Sequence, residues 1–169
     1  MSDMRTLRIE KTVVNIGVGE AGERLLKAQK VLEMLTHQKP VETLSKTTNK
    51  DLGIRKGMPI GCKVTLRGDK ADDFLKRALW VKNNRLASYN FDPEGNFSFG
   101  IPDYTDFEGM KYDPEIGIFG MDISVTLKRP GYRVTNRRRG TAKLPVGHRV
   151  TREEGITFMQ ERYEVEVIE

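Results

Sequence analysis

Apolar and polar positions alternate most cleanly at residues 60–67, where Cys62, Val64 and Leu66 fall on one side and Lys63, Thr65 and Arg67 on the other. That period of two predicts a strand with one dry face and one wet face. Residues 6–17 read as another strand, with Val14, Ile16 and Val18 on one parity and Lys11, Val13, Asn15 and Gly17 on the other. Leu7 and Ile9 share the second parity, so a bulge or a change of partner is expected near Lys11. At residues 20–36 the period changes: Leu25, Ala28, Leu32 and Leu35 recur at three and four, an amphipathic helix that Pro40 ends. Residues 41–47 can form a short strand, and 48–59, with Asn49, Gly53, Gly57 and Pro59, a loop.

Beyond Gly68, Asp69 with Asp72 three residues on predicts an N-cap for a helix reaching about Leu86. Its Ala71, Phe74, Leu75, Ala78 and Leu79 face the core, with Trp80 packing beside them. Strands are predicted at 96–101 and 121–127, separated by a stretch rich in Gly, Pro and aromatics. Thr151 with Glu154 predicts a capping box for a helix to about Arg162, and 163–168 a closing strand. Consecutive strands without intervening helices predict an α+β fold: a mostly antiparallel sheet with helices packed on one face. The chain reads as a single domain, residues 1–169, with an excursion at 128–150. If the helices cover Val14, Ile16, Val64 and Leu66, then Asn15, Lys63, Thr65 and Arg67 point together to solvent. Amides, hydroxyls and cations without large apolar groups suit phosphates, ribose hydroxyls and base edges.

Composition narrows the classes. The chain has 169 residues, 29 Lys plus Arg against 24 Asp plus Glu, one Cys and two His. Cys62 alone forms no internal disulfide, and His37 and His148 give no zinc spacing, so no metal site is expected. No apolar run spans a bilayer and the start lacks a secretory stretch, so a soluble intracellular protein is expected. Charge is segregated. Residues 87–127 hold eight acids against Lys111, whereas 128–152 hold nine cations and no acid. Residues 39–67 hold seven cations against Glu42 and Asp51. Like charges so concentrated call for a polyanion, and nucleic acid is the first partner to consider. Arg129, Arg133, Arg137, Arg138 and Arg139 are the expected RNA contacts of the excursion, which has few apolar residues and is predicted to order only on RNA.

No catalytic residue is predicted. A phosphate loop, a metalloprotease helix and a nucleophile elbow are all missing from the sequence, and Cys62 falls on the dry parity. Residues 17–22 do satisfy G-x-G-x-x-G between a strand and a helix. A dinucleotide-binding first strand is apolar throughout, however, whereas this one carries Glu10, Lys11, Thr12 and Asn15. A small nucleotide-dependent enzyme using that turn is the alternative reading, and no cofactor is expected in the leading one. A generic DNA-binding module lacks a recognisable helix-turn-helix or zinc finger.

The strings VNIGVGEA at 14–21, QKP at 38–40, GIRKGMPIGCKVTLRG at 53–68, NFSFGI at 96–101 and GIFGMDI at 117–123 resemble, in order and over nearly the whole chain, large-subunit ribosomal protein five. The bare start and the basic excursion resemble the archaeal and eukaryotic branch. The resemblance implies a non-catalytic ribosomal protein of the cytoplasm that binds 5S rRNA and attaches it to large-subunit rRNA in the central protuberance. It also implies neighbouring large-subunit proteins, a bridge to a small-subunit head protein, and a loop that meets P-site tRNA. On matching positions Asn15, Gln38 and Thr65 would hydrogen-bond 5S rRNA, and Lys46, Lys63 and Arg67 would hold phosphates. Thr48, Asn49, Lys50, Arg55 and Lys56 belong to the tRNA-facing loop, residues 48–57. Asp103, Asp106, Glu108, Asp113 and Glu115 are the candidate protein-bridge residues, since the small-subunit partner is basic and acids repel RNA.

Overall fold

A computed structural model describes residues 4–168. Strand β1 (Arg8–Gly17) leads into helix α1 (Glu23–Thr36), then β2 (Val41–Leu44), β3 (Pro59–Leu66) and helix α2 (Asp69–Val81). After them come β4 (Arg85–Ala87), β5 (Phe97–Ile101), β6 (Met121–Lys128), the single turn α3 (Arg133–Asn136), α4 (Arg152–Tyr163) and β7 (Glu166–Ile168). Five strands form a mostly antiparallel sheet in the order β2-β3-β1-β6-β5, and β4 pairs with β7 in a separate parallel ribbon. The α+β class expected from the strand and helix order is the class observed. Among the described residues no helix is long and apolar enough to cross a membrane.

Contacts group the chain into two compact units, one of residues 13–66 and 99–123, the other of 4–12, 67–98 and 124–168. In the first, Val14 and Ile16 of β1 and Cys62, Val64 and Leu66 of β3 are buried, together with Leu25, Ala28, Val31, Leu32 and Leu35 of α1. The side on which α1 lies follows from register: Glu42 of β2 pairs with Cys62, and Gln29 of α1 donates to the Glu42 carboxylate at 3.0 Å. The helix therefore covers the Cys62 side. Burial pushes the Cys62 thiol up to about 11, with the Glu42 carboxylate adding to the shift, as suits a core side chain rather than a nucleophile. Gly61 permits the close approach of β1 and β2 to β3, because a Cβ there would stand 2.7 Å from the Ile16 carbonyl and 2.9 Å from the Thr43 hydroxyl.

In the second unit Ala71, Phe74, Leu75, Ala78 and Leu79 are buried along α2, and Met159 and Tyr163 along α4. Asp72 ties the two helices, accepting from the Tyr163 hydroxyl and, at 2.9 Å, from Arg162. Asp69 does not cap α2, contrary to the sequence expectation: Gly68 is the N-cap residue and no side chain bonds there. Thr151 and Glu154 do form the reciprocal capping box expected at α4. Several boundaries differ from the pattern reading, among them the end of β2 at Leu44 rather than 47. Helix α2 stops at Val81, where Asn83 and Asn84 turn left-handed and open the short strand β4. The last helix takes in Tyr163, so β7 starts at Glu166. Trp80, expected to pack, is 61% exposed, because its position on the helix turns it outward from the buried stripe.

Candidate nucleic-acid interface

The uncovered face of β3 carries Lys63 and Thr65, both exposed, and Arg67, the next residue of that parity along the chain, is exposed as well. Asn15 on the neighbouring β1 is half-buried, on the parity opposite to buried Val14 and Ile16. Sheet alternation thus brings an amide, a hydroxyl and an ammonium group to one surface of the first unit. Val41 pairs with Lys63 and extends that face onto β2. Gln38 is half-buried just after His37, whose left-handed backbone ends α1. Lys46 is exposed beside Ser45, a buried residue whose hydroxyl donates to the Thr47 carbonyl at 2.7 Å.

Arg67 is not a free-swinging cation. Its guanidinium donates to the Glu10 carbonyl at 3.4 Å and lies 3.9 Å from the Glu10 carboxylate, which also holds the Lys128 ammonium at 2.9 Å. One carboxylate thus holds a cation just past β3 and another at the end of β6, the two strands that flank β1; this function of Glu10 has no sequence signature, because the three residues are far apart in the chain.

Residues 48–57 form a turn-back in which Asn49 and Ile54 exchange backbone hydrogen bonds. The Thr48 hydroxyl accepts from the Lys56 amide at 3.0 Å and the Asn49 side chain from the Asp51 amide at 2.9 Å. Thr48 and Asn49 therefore build the loop, while the Lys50, Arg55 and Lys56 side chains stand exposed around Leu52, itself 67% exposed at the tip. Leu52 was not singled out from the sequence, where one apolar residue in a loop carries no signal.

The excursion departs from expectation. Residues 128–150, predicted to lack order without RNA, contain α3 and a further helical turn at Val146–His148. The Tyr132 hydroxyl accepts from the Val150 amide at 3.0 Å, and the His148 ring meets the Pro130 carbonyl at 2.9 Å. Arg133, Arg137, Arg138 and Arg139 are exposed, with the Arg137 side chain donating to the Gly140 carbonyl at 2.7 Å. Arg129 is a correction: it is 7% exposed and bonded to the Glu154 carboxylate, so it stabilises the unit and is withdrawn from the cations a ligand could reach.

Among the acids, Asp103 and Asp113 accept from the amides two residues on, Thr105 and Glu115, and are half-buried. Asp106, Glu108 and Glu115 are exposed and form the negative surface of the first unit. The glycine turn at 17–22 is already occupied by the sheet: the Val18 and Gly19 amides both donate to the Ile60 carbonyl, at 2.9 and 2.8 Å. Amides so engaged cannot cradle a pyrophosphate, which removes the physical basis of the nucleotide reading.

Residues 2–55 match the family described as Ribosomal protein L5, and residues 59–158 match the C-terminal region of the same ribosomal family. The chain is similar to the large ribosomal subunit protein uL5 of Thermoplasma volcanium, 53% identical over 169 residues and 99% of each chain. Its counterpart from Methanoregula boonei is 52% identical over 164 residues, 97% of this chain and 99% of that one. That of Picrophilus torridus is 54% identical over 168 residues, 99% and 96% of the two chains.

Proposed function

The chain belongs to the ribosomal protein L5 family and is a structural component of the large ribosomal subunit, not an enzyme; on that premise we propose that it binds 5S rRNA on the uncovered sheet face and anchors it in the central protuberance. The observation that carries this reading is the face itself. Asn15, Lys63 and Thr65 lie together on the side of the sheet that α1 leaves open, and none of the three is buried. Amide and hydroxyl groups read ribose and base edges, and Lys46, Lys63 and Arg67 neutralise phosphates. Gln38 joins them at the end of α1. The loop 48–57, with Lys50, Arg55 and Lys56 outward on a frame built by Thr48 and Asn49, reaches P-site tRNA. Arg133, Arg137, Arg138 and Arg139 make a second contact, with large-subunit rRNA. Exposed Asp106, Glu108 and Glu115, with Asp103 and Asp113 shaping their loop, meet a basic protein of the small-subunit head.

The test is binding of 5S rRNA to the double variant Asn15→Ala, Thr65→Ala, followed by filter retention at fixed salt. Each lost hydrogen bond is worth about 0.5–1.5 kcal/mol, so the pair should weaken binding roughly 5- to 150-fold while the melting temperature holds. Unchanged 5S rRNA affinity would remove the sheet face from the interface.

A further inference from the structure

Trp80 is the single tryptophan of the chain and stands 61% exposed on α2, whose other large apolar side chains are buried or half-buried. An isolated exposed apolar residue is ordinary on a protein surface. This one has a setting. It lines a depression of about 290 Å³ with Lys76, Asn84, Arg162, Tyr163 and Glu164. Two cations of that depression are positioned ahead of any ligand: Arg162 donates to Asp72 at 2.9 Å with its guanidinium 5.7 Å from the Tyr163 ring, and the Lys76 ammonium is 3.9 Å from the same carboxylate. Along the chain, residues 74–91 carry Lys76, Arg77, Lys82 and Arg85 and no acid.

We propose that Trp80 is a base-stacking anchor for an unpaired nucleotide of large-subunit rRNA, with Lys76 and Arg162 at the adjoining phosphates. The inference rests on the rRNA binding put forward above and adds a surface to it. Every base has a π-face, so an exposed indole flanked by cations takes a splayed nucleotide without demanding a sequence. Asn84 offers an amide to its edge. A basic protein partner is disfavoured at the same place, since it would meet Lys76 and Arg162 there, with Glu164 the one acid lining the depression.

The sole tryptophan makes the experiment direct. The full-length chain is titrated with protein-free large-subunit rRNA while indole emission and RNA retention are followed together. Stacking quenches the emission with the midpoint of retention. Trp80→Ala should weaken retention about 5- to 150-fold, the span of base–aromatic stacking, Trp80→Phe should recover most of it, and neither should move the melting temperature of an exposed site. The inference is overturned if emission is unchanged at saturating rRNA, if Trp80→Ala binds as the parent does, or if RNA-free ribosomal proteins quench the indole and rRNA does not. Retention of 5S rRNA is measured alongside. A parent chain that holds 5S rRNA but shows no rRNA response at Trp80 sinks this proposal alone, whereas one that holds neither RNA sinks the functional reading as well.

Discussion

At the scale of single residues, Asp72 shows how one carboxylate replaces the local role its position suggests with a tertiary one. Burial works against its charge, but the hydrogen bonds from Tyr163 and Arg162, with the charges of Arg162 and Lys76, hold it below the usual carboxylate range. Burial pushes the Tyr163 hydroxyl up, and the bond to the Asp72 carboxylate pushes it further, so the pair remains anionic carboxylate and neutral phenol at neutral pH. A depressed carboxylate contributes stability that is complete above its unfolded value and is lost as pH falls through its folded one. Asp72→Asn should therefore destabilise the protein at pH 7 by about 1.5–3 kcal/mol, the range of hydrogen bonds to a charged group. The gap should begin to narrow as pH falls below about 4, where the unfolded carboxyl takes up its proton, and close as pH falls through the lower folded value. Urea unfolding of both proteins from pH 7 to 3 measures it; a gap constant across that range would show that the charge of Asp72 is immaterial.

Elements differ in how far their own sequence determines them. Strand β3 was legible because alternation and a bounding Gly68 agree, and the same period of two located Lys63 and Thr65 on the open face. Strands β4 and β7 have three residues each and exist through a pairing 81 positions apart, Arg85 with Glu166, which no local window contains. Asp69 and Asp72 matched an N-cap by spacing, yet tertiary partners claimed Asp72. Thr151 met no such competition and capped with Glu154 as spacing implied, Glu154 also holding Arg129. The excursion failed as a pattern reading for a related reason: its order comes from Tyr132, His148 and Arg129 acting on the backbone and on Glu154, contacts without a period. Few buried apolar groups support it, so its opening free energy should be low. Trypsin should cut the free protein first at Arg137, Arg138 and Arg139 and much more slowly with large-subunit rRNA bound, as read by timed mass spectrometry. Equal rates would exclude RNA contact along that segment.

For the molecule as a whole, charge and fold divide the surface between kinds of partner. The unit of residues 13–66 and 99–123 holds ten cations against eleven acids, while the remainder holds nineteen against thirteen. The net positive charge of +5 therefore comes from the unit carrying the excursion, and within the near-neutral unit the cations of 39–63 and the acids of 103–122 are separated along the chain. Long-range attraction of a polyanion acts on the positive unit, and short-range hydrogen bonding on the open face of the near-neutral one decides register. The two contributions separate in salt. With about five phosphates neutralised, log affinity for RNA should fall with log salt at a slope near −4, from roughly 0.7 to 0.9 per phosphate. Replacing Arg137, Arg138 and Arg139 by Gln should lower that slope by about 2 to 3, whereas replacing Asn15 and Thr65 by Ala should lower affinity at every salt concentration and leave the slope alone. Arg129→Gln belongs to neither class: with its guanidinium buried against Glu154, its loss should appear in thermal stability and hardly in the slope. Parallel lines for the arginine triple variant and its parent would mean that the excursion touches no phosphate, and the attraction would have to be sought elsewhere on the positive unit.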